Sequence, residues 1–212
     1  MTTFMFRKLD SLDQTILDTS RTLFMENGIH ATEMKNIAMK CKIGRSTLYR
    51  HFTSKEQIAF YIADEIVDQL FGTDITPLIH SGMSGYEKFS LKLQSDLQYM
   101  KDHPEQIRFL DEFDQLFSGD YPDMPESRKY EENVARRTAK EKNPYIYYRE
   151  GLQDGSIRKA EDEKLPFLSI LHSILGLAQR IIPRQQHYEK EHGYSTQLLD
   201  TALSLLLDSI KE

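Results

Sequence analysis

The side chains best suited to chemistry lie on the outer face of one short predicted helix, about Arg45 to Phe52. Leu48 and Phe52 are four residues apart, so both turn inward. The outward side chains are cations, hydroxyls and a phenol: Arg45, Ser46, Thr47, Tyr49 and Arg50. Hydroxyls and cations hold phosphate oxygens, and residues near a helix N-terminus reach base edges in the DNA major groove. The pattern therefore predicts a helix that binds DNA.

A second short helix and a tight turn precede this segment. We predict Thr32 as the N-cap of the earlier helix and Gly44 as the N-cap of the later one. The inner side of the earlier helix carries Met34, Ile37, Ala38 and Cys41. Between Asn27 and Lys55 six cations face one acid, a balance of +5 in a chain whose net charge is −6. A solvated basic face is the plainer alternative, but here the charge coincides with a helix-turn-helix pattern.

Length, composition and charge limit the classes of protein to which this chain can belong. With 212 residues and 39% hydrophobic content, the chain can bury one large core or two modest ones. We find no run of roughly 20 apolar residues and no signal-peptide pattern, so we expect a cytoplasmic protein without a membrane partner. A single cysteine, Cys41, excludes an internal disulfide. Residues 1–60 carry +3 and the remainder −9, so only the N-terminal part is expected to meet nucleic acid.

The whole chain predicts helices and no strands. An apolar stripe from Leu9 to Asn27 completes a three-helix head, and a capping signature at Thr53–Gln57 opens a helix that runs to about Phe71. The predicted domains are residues 1–55, a helix-turn-helix DNA-binding domain, residues 56–71, a connecting helix, and residues 72–212, a larger helical domain. Within the last, a long polar helix is predicted from Glu126 to Asp154, with a bend at Asn143-Pro144.

The stretch from Ile16 to Leu70 resembles the N-terminal domain of the TetR/AcrR family of bacterial transcriptional regulators. The matching residues are Leu23-Phe24, Gly28, Thr32, Ile37-Ala38, Ser46-Thr47-Leu48-Tyr49, His51-Phe52 and Ser54-Lys55-Glu56. The resemblance covers about a quarter of the chain. It implies an all-α homodimer with a DNA-binding head and an effector-binding and dimerisation domain. It also implies a regulator, most often a repressor, that a small molecule releases from a pseudo-palindromic, double-stranded operator.

Nine residues fall where proteins of this family commonly touch DNA. They are Thr32, Lys35, Arg45, Ser46, Thr47, Tyr49, Arg50, His51 and Lys55. Lys55 lies in the first turn of its helix, where a cation and free backbone N–H groups together could hold a phosphate. Two positions depart from the family pattern, since Glu33 replaces a small hydroxyl and Gly44 a polar cap.

Two C-terminal helices, Lys164–His187 and Ser195–Ile210, are apolar over a wide arc. Such a pair could be buried within one chain or could meet its own copy in a four-helix bundle. We predict the homodimer, in which Gly176 would permit close backbone approach. The predicted interface residues are Leu168, Leu171, Leu175, Gly176, Ala178, Ile182, Leu199, Leu203, Leu206 and Ile210.

Aromatic and methionine side chains recur in the predicted body. Plain core packing explains any one of them, but the family resemblance implies a pocket among these helices. The residues predicted to line it are Phe89, Met100, Phe109, Phe113, Phe117, Tyr145 and Tyr148. They favour a mainly apolar effector of unknown identity.

Motifs for metal binding or catalysis are lacking in the sequence. His187 and His192 are five residues apart, so a continuous helix would turn them roughly 140° from each other. There is no His-Glu-x-x-His motif, cysteine pair, Gly-x-Ser-x-Gly motif or phosphate-binding glycine loop. We therefore expect no cofactor, no metal and no enzymatic activity. Two alternatives stay open: a body that binds a protein partner, and an enzyme or carrier that uses an apolar cavity.

Overall fold

A computed structural model describes residues 8–137 and 144–212. Within these ranges the chain forms α-helices and two short 3-10 segments, Thr76–Leu78 and Ile182–Arg184. The helices are α1 (Ser11–Asn27), α2 (Met34–Lys40), α3 (Arg45–His51), α4 (Lys55–Leu70), α5 (Gly85–Asp102), α6 (Pro104–Leu116), α7 (Pro125–Arg137), α8 (Pro144–Asp154), α9 (Lys164–Ile181), α10 (Gln185–His192) and α11 (Gln197–Ile210). The all-α prediction is confirmed.

Two long predicted helices are divided in the structure. The polar helix predicted from Glu126 to Asp154 is α7 followed by α8, and Asn143 of the predicted bend lies outside the described residues. Pro144 begins α8, where its missing N–H costs no hydrogen bond. The helix predicted to reach His187 ends as α9 at Ile181, because Pro183 lies in the 3-10 turn that follows and cannot donate to the helical ladder.

The chain divides into two compact units. Among the described residues, the first unit contains residues 8–67 and Arg108–Arg137, and the second contains Asp68–Ile107 and residues 144–212. This division differs from the predicted boundaries at residues 55 and 71. The first unit takes in most of α6 and all of α7, because their aromatic side chains pack into its core.

The core of the first unit is built around Phe60 of α4. Its ring lies 5.1 Å from the ring of Phe113 and 5.7 Å from that of Tyr130, measured between centroids. Leu48 and Phe52 are fully buried in the same core, which confirms their predicted inward orientation. Burying large aromatic side chains stabilises such a small unit strongly, and edge-to-face pairs add to the effect of area alone.

The second unit depends on a close crossing of α5 and α8. A Cβ atom on Gly85 would lie 1.9 Å from the backbone nitrogen of Gly151, so only glycine fits there. The crossing brings Phe89 of α5 to 5.4 Å from the ring of Tyr148 in α8, and Phe167 of α9 packs beside both rings. Helices α9 and α11 complete this core.

Among the described residues one stretch, Lys164–His192, is long and apolar enough to pass a composition test for a membrane span. This qualifies the prediction that no such run exists. A third of its most apolar window is buried inside the fold, and core helices of soluble proteins pass the same test. We draw no membrane assignment from it.

Candidate DNA-binding surface

The turn between α2 and α3 sets the position of the candidate recognition helix. The N–H of Ile43 donates to the carbonyl of Ala38 at 3.0 Å, closing the turn. Lys42, with a φ of 55°, takes the left-handed conformation. Gly44 is the N-cap of α3, as predicted, but its φ of −70° is one that any residue adopts. The backbone therefore does not require glycine there.

The outer face of α3 is open to solvent. Arg45, Ser46 and Arg50 are exposed, and half of the surface of Tyr49 is accessible. Thr47 is half-buried, and its hydroxyl accepts a hydrogen bond from Nη2 of Arg50 at 3.4 Å. Opposite them, Leu48 anchors the helix in the core. This face presents cations, hydroxyls and a phenol on a rigid element, as a DNA-reading helix requires.

An open cleft of about 410 Å³ collects several of the predicted contact residues. It lies between the beginning of α2, the outer face of α3 and the beginning of α4. Of the nine predicted residues, its lining includes Thr32, Lys35, Arg45, Tyr49 and Lys55. Ser46, Thr47, Arg50 and His51 lie elsewhere on the first unit. The side chains that line the cleft differ in whether they already have bonding partners within the protein.

Glu33 forms an ion pair at the rim of this cleft. Its carboxylate lies 2.7 Å from Nζ of Lys35, and both side chains are more than half exposed. The hydrogen bond from Lys35, and then the charge of Lys35, lower the pKa of Glu33. A phosphate would therefore compete with Glu33 for the Lys35 ammonium. Exposed ion pairs of this kind are weak, because water screens the two charges.

Thr32 does not have the predicted role. The N-cap of α2 is Glu33, and Thr32 is 2% exposed. Its hydroxyl donates to the carbonyl of Gly28 at 2.7 Å, with the carbonyl of Leu23 at 3.3 Å. The spacing was correct for a cap, but the loop after α1 supplies nearer acceptors. The prediction that the Thr32 side chain touches DNA is therefore corrected to a structural role.

Lys55 is also occupied within the fold. Its ammonium donates to three backbone carbonyls of the α1–α2 loop: those of Ile29 at 2.8 Å, His30 at 2.8 Å and Thr32 at 3.2 Å. An ammonium group has three protons to donate, and these acceptors use all of them. We therefore correct the predicted phosphate contact: the Lys55 ammonium fastens the loop to the beginning of α4.

His51 connects α3 to α1 through a hydrogen bond. Its Nδ1 lies 2.8 Å from Oδ1 of the fully buried Asp13. Asp13 and Asp10 also form the capping box of α1. Asp10, Asp13 and His51 place possible ligand atoms within 4.8 Å of one another, as a metal site would require. Both oxygens of Asp13 already accept hydrogen bonds, from the N–H of Asp10 and from His51, so the cluster is explained by its internal bonds.

One contact that supports the candidate DNA-binding surface could not be predicted from the sequence. The N–H of His30 donates to Oε1 of Glu112 in α6 at 2.7 Å, across 82 positions of the chain. Gly28, with a φ of 89°, adopts a conformation open mainly to glycine, and a Cβ atom there would lie 2.8 Å from the Glu112 carboxylate. Glu112 and Lys55 thus hold the same loop from two helices, and no local pattern marks such a contact.

The seven residues predicted to line a single effector pocket are divided between the two cores. Phe109, Phe113 and Phe117 pack in the first unit, whereas Phe89, Met100, Tyr145 and Tyr148 pack in the second. That all seven line one pocket stays a prediction. Helical periodicity shows which side chains turn inward, but it does not show which core they enter.

The predicted dimer residues likewise fall into two groups. Ala178, Ile182, Leu199, Leu203 and Ile210 are at most 7% exposed, because α9 and α11 pack with each other and with the second unit's core. For these five the interface prediction is corrected. Leu168 and Gly176 are exposed, and Leu171, Leu175 and Leu206 are half-buried. Apart from its chain neighbours and the backbone of its own helix, no heavy atom of the described residues would lie within 4 Å of a Cβ atom on Gly176.

Comparisons with known proteins agree with this geometry. Residues 16–62, from α1 into α4, match the family described as bacterial regulatory proteins, tetR family. An HTH-type transcriptional regulator of Staphylococcus aureus is 33% identical over 90 residues, or 42% of this chain and 48% of that protein. The HTH-type transcriptional repressor KstR2 of Mycolicibacterium smegmatis is 26% identical over 154 residues, or 72% of this chain and 70% of KstR2.

A solved structure shares the fold over nearly the whole chain. The Thermus thermophilus protein FadR, a TetR-family transcriptional repressor in complex with lauroyl-CoA, superposes with a TM-score of 0.62. The alignment covers 94% of this chain and 96% of that one at 15% identity, which establishes the fold alone. With the staphylococcal regulator the chain shares only about half of that protein's length. The similarity to the tetR family therefore lies in residues 16–62, the segment that contains α2 and α3.

Proposed function

We propose that this protein is a DNA-binding transcriptional regulator whose α3 helix reads an operator in the major groove. The observation that carries the proposal is the exposed outer face of α3, with Arg45, Tyr49 and Arg50 on a helix anchored by the buried Leu48. The staphylococcal and mycobacterial relatives are named as HTH-type regulators, which supports the same activity here. The operator would be met in the cytoplasm.

We further propose that the protein acts as a homodimer. Two copies of α3 would enter successive major grooves roughly 34–36 Å apart, so the operator would be pseudo-palindromic. The exposed Leu168 and the half-buried Leu171, Leu175 and Leu206 supply apolar surface for a second copy. The core residues of α9 and α11 would keep that surface rigid.

Repression relieved by a small molecule is the form of control that we propose. KstR2 is named as a repressor, and the FadR structure contains lauroyl-CoA, a ligand with an apolar chain. An effector that binds one conformation of this protein better by about 1–3 kcal/mol would change operator affinity roughly 5- to 150-fold.

The DNA-reading role is tested by substituting one cation of α3. Arg45→Ala is expected to weaken binding to the operator by about 5- to 150-fold and to relax sequence choice, since Arg is the commonest reader of guanine. Binding is measured by gel shift with the DNA upstream of the protein's own gene. Lys190→Ala is the matched control, because it removes the same charge from the exposed surface of α10. Equal operator affinities for Arg45→Ala and Lys190→Ala would remove Arg45 from the reading surface.

A further inference from the structure

The second unit contains a buried ion pair that is incompletely satisfied. Lys92 and Asp96 of α5 are 0% and 2% exposed. The Lys92 ammonium donates to Oδ1 of Asp96, to Oγ1 of Thr73 at 2.8 Å and to the Phe71 carbonyl at 3.3 Å. The hydroxyl of Thr73 donates to the same Oδ1. Oδ2 of Asp96 is buried and has no hydrogen-bond partner in the part of the chain that the structure describes.

That unpartnered oxygen is unusual for an ionised side chain. Buried polar atoms are nearly always hydrogen-bonded, because losing water without gaining a partner is costly. Burial raises the pKa of Asp96 to about 6, while the charge and hydrogen bond of Lys92 oppose the rise. Near neutral pH the group is thus mainly an acceptor whose second oxygen is unsatisfied.

Asp96 also lines a small internal cavity. The other lining residues are Phe71, Leu93, Met100, Ile170, Leu171 and Ile174, all of them apolar. The cavity has a volume of about 10 Å³, close to the space that one water molecule needs. Phe71 and Leu171 are half-buried, so the wall is thin on their side. Met100 is unbranched and adapts its shape easily.

We propose that this cavity is the binding site for an uncharged, mainly apolar molecule whose hydroxyl group donates a hydrogen bond to Oδ2 of Asp96. This inference rests on the proposed function, because such a molecule would be the effector. The apolar walls select a hydrocarbon body, and the carboxylate selects a donor. The ligand widens the cavity by rotating Met100 and Leu171, as ligands do when they stabilise a minor, more open conformation.

The charged groups beside the cavity favour an uncharged ligand over a cation or an anion. Lys92 already neutralises Asp96, so a ligand ammonium would bring an uncompensated positive charge beside Lys92 into an apolar site. A ligand carboxylate would face Asp96 and repel it. A hydroxyl satisfies Oδ2 and leaves the net charge of the site unchanged.

The test uses four probes with one hydrocarbon chain: octan-1-ol, 1-methoxyoctane, octylammonium and octanoate. Binding to the full-length protein is followed by NMR of methionine methyl groups, with the Met100 signal identified by its loss in Met100→Leu. Octan-1-ol is expected to shift the Met100 signal and to bind about 10- to 150-fold more tightly than 1-methoxyoctane, which lacks the donor. Both charged probes are expected to bind more weakly than octan-1-ol.

The double variant Lys92→Met/Asp96→Leu provides the second arm. It replaces the ion pair by apolar side chains of similar volume, a change that buried pairs commonly tolerate. The alcohol is expected to lose its advantage over the ether, while the ether binds as before. If this variant does not fold, the comparison of alcohol and ether on the native protein decides alone.

Several results would overturn the proposal. These are equal affinities of alcohol and ether for the native protein, binding without a change at Met100, tighter binding of octylammonium, or an alcohol preference that persists in the double variant. Binding of none of the probes would mean a site for one water molecule only. Operator binding by the ligand-free protein is measured in parallel. Its absence would refute the proposed function, whereas the Met100 result would still decide the ligand site.

Discussion

Replacing the buried ion pair of α5 should have opposite effects when one or both partners are changed. Lys92 and Asp96 are almost completely buried, so Lys92→Met or Asp96→Leu alone leaves one charge without its partner. Each single substitution is expected to lower the free energy of unfolding by about 3–5 kcal/mol. The double variant removes both charges, and we expect its stability to be unchanged or higher by about 1–4 kcal/mol.

The pH dependence provides a second measure of the same pair. Asp96 has a pKa raised from 3.8 to about 6, chiefly by burial. An acid whose pKa rises on folding contributes stability that is fully present below its unfolded pKa and is lost as pH rises through its folded pKa. The native protein should therefore lose stability from this group as the pH rises from 3.8 to about 6. The double variant should not.

Urea unfolding followed by far-ultraviolet circular dichroism measures both effects, since the protein is helical and contains no tryptophan. Independent sites would give the double variant the sum of the single losses, about 6–10 kcal/mol. Such additivity would refute the interpretation of Lys92 and Asp96 as one paired unit. A stability difference between double variant and native protein that stays constant from pH 3.8 to 6 would refute the burial of an ionisable Asp96.

Three further substitutions test the supports of the candidate DNA-binding surface and the proposed dimer interface. Lys55→Met should lower the free energy of unfolding by about 1–3 kcal/mol without changing the salt dependence of DNA binding, because its ammonium is bonded to loop carbonyls; a shallower salt slope would restore it as a phosphate contact. Gly28→Ala should destabilise the protein more than Gly193→Ala in thermal unfolding, since both have positive φ but only Gly28 would crowd Glu112; equal losses would contradict this. Leu168→Asp should yield monomers in analytical ultracentrifugation with unchanged circular dichroism, and a persistent dimer would exclude Leu168 from the interface.

Local patterns in the sequence were sufficient to predict α3 and its buried face. Leu48 and Phe52 are one turn apart, and their burial depends on a face that short-range spacing defines. The residues on the opposite face of α3, from Arg45 to Arg50, are then expected to face outward. The N-cap at Gly44 was predicted for the same reason. The spacing of apolar residues along one helix is therefore enough to predict which of its faces is buried.

Contacts between distant segments could not be predicted in this way. Lys55 looks like a free cation by position, but it meets loop carbonyls 23–26 residues earlier in the chain. Glu112 supports the same loop from much farther away. Phe113 and Tyr148 are both inward-facing aromatics, yet they enter different cores. Spacing defines a face of a helix, whereas its partner depends on how the helices pack.

The most direct test of DNA reading by α3 is the operator affinity of the native protein as a function of salt. Fluorescence anisotropy with DNA upstream of its own gene, at about 50 and 200 mM salt, is compared with a scrambled duplex of equal length. Lys35, Arg45 and Arg50 are exposed, so the proposed dimer would offer roughly six cations. We expect preference for the upstream DNA and an affinity loss of about 10³-fold between the two salt concentrations. No binding at the lower concentration, or equal binding to both duplexes, would contradict the proposed DNA-reading role of α3.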